Sequence, residues 1–189
     1  MKNSLIIFLL LILSCNIDAQ EIKQPKVNSF KKRGFVNITE ISYGLGFGRV
    51  DFKSNALTNE TSIVGIRIIN GYQLNEYFTF GVGIGFEKYL ELPPLLPISL
   101  NARFIFLNKR ISPYLDINTA YGFGLLKESS GGVSFNPNIG LRVFITNTSS
   151  FLLSIGYKIH ARRQSIYFNQ LLADNTYPQF VMLNTGVVF

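Results

Sequence analysis

The sequence predicts an all-β chain: an eight-stranded antiparallel up-and-down barrel that crosses a membrane. Three observations carry this reading. First, the 189 residues are 47% hydrophobic and only 15% charged, the reverse of a disordered composition. Yet past residue 15 no stretch approaches the ~20 apolar residues of a spanning helix. Second, from Gly34 onward the hydrophobic period is two, the mark of strands with one apolar face. Third, the segments are joined by alternating tight and longer connections, as in outer-membrane barrels. The length suits one domain. A single Cys and a single His exclude a disulfide framework and most zinc sites.

The N-terminus reads as a targeting segment. Met1-Lys2-Asn3 is a short positive start, and Ser4–Ser14 (SLIIFLLLILS) is an apolar run of h-region length, too short for a membrane anchor. Two cleavage sites compete. Ala19 supplies a small residue before Gln20, and Ile12-Leu13-Ser14-Cys15 resembles a lipobox that would lipidate Cys15. Leu13 departs from the usual small or β-branched residue of that motif, which favours cleavage after Ala19. The expected organisation is therefore a signal peptide at 1–19, a flexible periplasmic segment at 20–33 and a barrel at 34–189. Cleavage removes Lys2 and Asp18 together, so the +7 charge of the whole chain is kept. In an exported protein that charge is no signal for nucleic acid.

Eight segments follow in order. In 34–48, Phe35, Ile41, Tyr43, Leu45 and Phe47 lie opposite Glu40, Ser42 and three glycines. In 62–74, Val64, Ile66, Ile68 and Tyr72 oppose Gly65, Arg67, Gly71 and Gln73. The third is the cleanest: Phe78, Phe80, Val82, Ile84 and Phe86 alternate with Thr79, Gly81, Gly83, Gly85 and Glu87. In 97–107, Ile98, Leu100, Ala102, Phe104 and Phe106 oppose Ser99, Asn101 and Arg103. In 113–125, Leu115, Ile117, Tyr121, Phe123 and Leu125 oppose Asp116, Asn118, Gly122 and Gly124. In 133–146, Phe135, Ile139, Leu141, Val143 and Ile145 oppose Asn136, Asn138, Gly140 and Arg142. In 150–162, Phe151, Leu153, Ile155, Tyr157 and Ile159 oppose Ser154, Gly156, Lys158, His160 and Arg162. In 177–189, Val181, Leu183, Val187 and Phe189 oppose Asn184 and Gly186. Val36, Ile38, Ile63 and Ile69 break the pattern, because they share the face of Glu40 and Arg67.

Period two does not say which face points out. A soluble, lipocalin-like barrel turns the apolar face inward and a membrane barrel turns it outward. The polar rows here are rich in glycine, as in Gly81-x-Gly83-x-Gly85. Small residues suit the narrow lumen of eight strands and would only weaken a solvated outer face. Aromatics of the apolar rows gather toward both ends, as two membrane interfaces require. The stretches GFVNITEISYGLGFG, GYQLNEYFTFGVGIGFEKY, ARFIFLNKRISPYLDINTAYGFG and FNPNIGLRVFI resemble the small outer-membrane β-barrel proteins of Bacteroidota, within the OmpX/OmpW-like class. The resemblance implies the fold and an outer-membrane location, with both termini periplasmic. It implies no activity. Leu183, Val187 and Phe189 resemble the C-terminal signal that barrel-assembly machinery reads.

The expected lumen network comprises Glu40, Arg67, Glu87, Arg103, Asp116, Arg142 and Lys158, since charges facing a low-dielectric lumen must be paired or wet. The segment LELPPLLPI is expected to hold an apolar outer loop of Leu90, Leu92, Pro93, Pro94, Leu95 and Leu96, because two prolines oppose a central strand. A Ser-His-Asp set, as in barrel-embedded lipid-A hydrolases, would draw on His160, Asp116 and Ser154 or Ser165. Ser154 lies six residues down the same strand and Asp116 too far along the barrel, and only Ser165 and Tyr167, beyond the strand end, can approach His160, so no catalytic set, metal site or cofactor is expected. The expected partners are outer-membrane lipid, lipopolysaccharide and the assembly machinery, with the barrel a monomer. The function expected is structural or surface-interactive and non-enzymatic. Passive transport or binding of small hydrophobic molecules, as in OmpW-like barrels, is the alternative.

Overall fold

A computed structural model describes residues 33–47, 49–51, 56–58, 62–90, 93–125, 131–146, 148–163, 175–176 and 178–189. The expected signal peptide, Cys15 and nearly all of the 20–33 segment lie outside these residues. The eight barrel strands are β1 (Gly34–Phe47), β4 (Ser62–Gln73), β5 (Phe78–Tyr89), β6 (Leu95–Ile105), β7 (Ile111–Gly124), β8 (Gly132–Phe144), β9 (Ser150–Arg163) and β11 (Gln179–Val188). Two short strand pairings are described beside the eight: the β2–β3 hairpin (Arg49–Asp51 with Ala56–Thr58) and β10 (Asn175–Thr176), which pairs antiparallel with the end of β9.

Each barrel strand pairs antiparallel with its neighbours in sequence, and β11 closes the sheet onto β1. The closure has a definite stagger. Following the ladder from Asn37 through Asn70, Val82, Leu100, Thr119, Phe135, Ile159 and Gln179 returns to Phe47, ten residues further along β1. Eight strands with that shear tilt by about 40° and enclose an interior that side chains can fill. The last residue belongs to the wall, because Phe189 and Asn37 exchange both backbone hydrogen bonds (2.9 and 3.1 Å).

The barrel is inside-out relative to a soluble protein. Among the described residues, 35 large apolar side chains are exposed and 14 apolar residues are buried, whereas 19 polar or charged residues are buried. Val82, Ile84, Leu100 and Ile155 point outward from mid-strand, while Gly83, Ser99 and Ser154 beside them point in. The outward apolar rows, such as Phe78 to Phe86 and Ile41 to Phe47, rise about 15–20 Å at that tilt. A continuous apolar wall of this size far exceeds what a monomeric soluble protein exposes. Aromatic pairs mark both margins: Phe35–Tyr72 and Phe78–Phe104 at the end carrying the termini, Phe47–Tyr157 and Tyr121–Phe123 at the other.

The connections at the terminal end are tight, at 74–77, 106–110 and 145–149. The Asn75 side chain closes the first by accepting from the backbone N–H of Tyr77 and Phe78.

The apolar outer loop needs correction. β5 runs through Tyr89 and β6 begins at Leu95, so only 90–94 separates them. Leu90 is exposed, Pro93 and Pro94 are half-buried, and Leu92 lies outside the described residues. Leu96 is a half-buried strand residue, and Leu95 is fully buried inside the barrel. The prolines end the turn without preventing a strand directly after it. Pro97 is itself within β6 and pairs normally with Gly122 of β7. On its other side the β5–β6 ladder skips the positions between Ile84–Ile98 and Glu87–Leu95, as the missing Pro97 N–H requires. Pro137 interrupts the β8–β9 ladder in the same way.

Candidate functional site: a sealed and charged lumen

The inward side chains change character along the barrel axis. Their polarity runs apolar, charged, apolar. Near the termini, Val36, Ile38, Ile69, Ile105, Tyr114, Leu152 and Val188 form one buried cluster. At the loop end, Ile63, Tyr89, Leu95, Phe180 and Met182 form another. The ion-pair network lies between these two plugs. The four residues that broke the sequence pattern all belong to one plug or the other.

Glu40 is the centre of the network. Its carboxylate accepts from Arg67 Nη2 (2.5 Å) and Arg103 Nη2 (2.6 Å). Arg103 continues through Nε to Asp116 Oδ1 (3.1 Å). Asp116 also accepts from Asn101 (2.7 Å) and Asn138 (3.3 Å), and Asn138 in turn accepts from Asn184 (2.9 Å). A second pair, Lys158 Nζ to Glu87 Oε1 (2.5 Å), stands nearer the loop end. Six of the seven charges read from the sequence thus meet in pairs. Arg142 does not join a carboxylate among the described residues. Its Nε donates to Ser150 Oγ (2.9 Å), and its guanidinium stacks 4.3 Å over the Phe144 ring. Arg103 likewise lies 4.8 Å over Tyr114.

The glycines on the polar rows make room for these long side chains. A Cβ on Gly83 would stand 2.6 Å from Ser99 Oγ and 3.0 Å from Ile69. One on Gly156 would fall on Asn138 Oδ1. Among the described residues, two small voids border these side chains, each about 10 Å³, room for about one water. The first is lined by Val36, Ile38, Gln73, Thr79, Arg103, Arg142 and Val188. The second lies between Glu40, Arg67 and Glu87, beside Pro97.

Sequence reasoning missed Tyr89. Its hydroxyl meets His160 Nδ1 at 2.7 Å, and both side chains are fully buried. Asp116 and Ser154, the partners a hydrolytic set would need, are engaged elsewhere: Asp116 by Arg103 and two asparagines, Ser154 Oγ by Asn184 (3.3 Å). No group of three or more His, Cys, Asp or Glu suited to a metal occurs among the described residues. On the outer wall, Leu183 and Phe189 are exposed and Val187 is half-buried, all facing outward from the closing strand.

No protein-family model and no curated protein matches the chain. Among solved structures, the fold is similar to Neisserial surface protein A, with 17% identity and a TM-score of 0.55 over 82% of this chain and 96% of that one. It is also similar to the outer membrane protein OprG from Pseudomonas aeruginosa, with 14% identity and a TM-score of 0.53 over 85% of this chain and 98% of that one. At such identities the likeness concerns the fold alone. It supports the small eight-stranded barrel class and lends nothing to a Bacteroidota origin.

Proposed function

We propose that the chain is an integral protein of a Gram-negative-type outer membrane, non-enzymatic, with a structural or surface-interaction role. One observation carries the reading: the wall is apolar outside and the lumen is closed at both ends by apolar plugs around a paired charge network. Lipid satisfies the outer wall, since a closed barrel leaves no backbone group unpaired in hydrocarbon. Among the described residues, the plugs and voids of about 10 Å³ leave little room for a solute path. Both termini are periplasmic, the longer connections face outward beside lipopolysaccharide, and Leu183, Val187 and Phe189 act as the assembly signal during insertion. The barrel works as a monomer. Planar-bilayer recording tests the sealed lumen. Purified protein should give no discrete conductance steps at ordinary voltages. Regular steps that scale with salt would overturn the closed reading.

A second reading is binding or passage of small hydrophobic molecules through the wall. It rests on the Pro97 seam, where the β5–β6 ladder lacks pairs beside the second void. A disulfide between Phe86→Cys and Leu96→Cys would close that seam. Uptake of a small hydrophobic solute that the parent supports and the oxidised variant loses would favour this reading over the structural one.

A further inference from the structure

We infer that the barrel holds a small monatomic anion of the halide class beside Arg142, near its terminal end. Arg142 is 3% exposed, and its Nη2 is buried without a hydrogen-bond partner among the described residues. Every lumen carboxylate named above is already committed elsewhere: Glu40 to Arg67 and Arg103, Asp116 to Arg103, Glu87 to Lys158. Four cations therefore face three anions, and the excess charge belongs to Arg142. A buried guanidinium without a counter-charge is strongly disfavoured, and Arg cannot shed its proton.

The void that Arg142 lines offers a solution. Two guanidinium groups, Arg103 and Arg142, border it together with the Thr79 hydroxyl and the Gln73 amide. All four side chains can donate, and no carboxylate borders the space. Val36, Ile38 and Val188 make the rest of its lining apolar, which strengthens a charge-assisted bond by excluding solvent. At about 10 Å³ it admits one water-sized particle. A polyatomic anion such as phosphate or sulfate does not fit without rearrangement, whereas chloride needs only a small shift of the Gln73 or Arg142 side chain.

Crystals of the full barrel grown in sodium bromide test this directly. An anomalous bromide peak within hydrogen-bond distance of the Arg142 guanidinium is expected, and its absence, with a water there instead, would overturn the inference. In detergent, the Tm of the parent should rise with the logarithm of chloride concentration when chloride replaces gluconate at constant ionic strength. Arg142→Met keeps the apolar stem and should abolish that dependence. A parent with the same Tm in chloride and gluconate, or an Arg142→Met variant with undiminished chloride dependence, counts against the site. The bromide measurement on the parent stands even where the variant fails to fold.

Discussion

Tyr89 and His160, 71 residues apart in sequence, meet across the barrel at 2.7 Å between Oη and Nδ1, with Tyr89 a member of the apolar plug at the loop end. Lys158 and Glu87 pair below them on the same two strands. The lone histidine is thus part of the packing that closes the lumen.

Removing the Tyr89 hydroxyl should therefore affect stability. Tyr89→Phe deletes one partner of a buried polar contact and should cost about 1–3 kcal/mol, read from urea unfolding in lipid vesicles. A variant as stable as the parent would show that the contact contributes nothing.

His160→Ala should leave lipid A composition unchanged in cells overproducing the protein. Asp116 and Ser154 are bound to Arg103 and Asn184, and His160 Nδ1 is taken by the Tyr89 hydroxyl, so these three do not form a nucleophile–base–acid chain. Mass spectrometry of lipid A reads the outcome. A change in acyl-chain number that the parent causes and His160→Ala abolishes would establish an enzyme.

Glu40 accepts from two buried arginines 27 and 63 residues away. Glu40→Ala should cost about 3–5 kcal/mol, because it removes the carboxylate bonded to Arg67 and leaves Arg103 with Asp116 alone. Arg67→Met in the Glu40→Ala background should cost less than the sum of the two single changes, since the residues share one interaction. Full additivity in unfolding measurements would mean that the pair is not coupled.

The two faces of β5 should respond to different insults. Val82 is 54% exposed on the outer wall, and Val82→Arg should cost about 2–4 kcal/mol in a bilayer. Gly83→Val should also destabilise, by pressing on Ser99 and Ile69 inside. Equal folding of Val82→Arg and parent into vesicles would reverse the face assignment.

The wall was legible in the sequence and much of the lumen was not. Val82, Ile84 and the glycines between them declare their faces by simple alternation, because lipid asks the same of every outward position. The lumen makes no uniform demand. It is apolar at both ends and charged between them, so Val36, Ile38, Ile63 and Ile69 look like errors in a two-fold pattern and are in fact the plugs. Leu95 follows Pro93-Pro94, a pair that points to a loop, yet a strand restarts at once and carries it inside. The charged residues could be named from their faces. Glu40 with Arg67 and Arg103 with Asp116 face each other along ladders of neighbouring strands, whereas Glu40 with Arg103 and Glu87 with Lys158 meet across the barrel interior, where no local register points to them. Arg142 is the plainest case: its lack of a carboxylate is visible only once the other cations are seen to have taken all three.

The most direct test of the inside-out barrel is collision accessibility of a nitroxide placed on each outward strand position in vesicles. With Cys15→Ser as background, single cysteines would replace Val82, Ile84, Leu100 and Ile155, which point outward from mid-strand. Each label should collide strongly with dissolved oxygen and weakly with a water-soluble nickel chelate, as hydrocarbon surroundings demand. Labels at these four positions that instead collide freely with the chelate would place the apolar wall in water and contradict a membrane barrel.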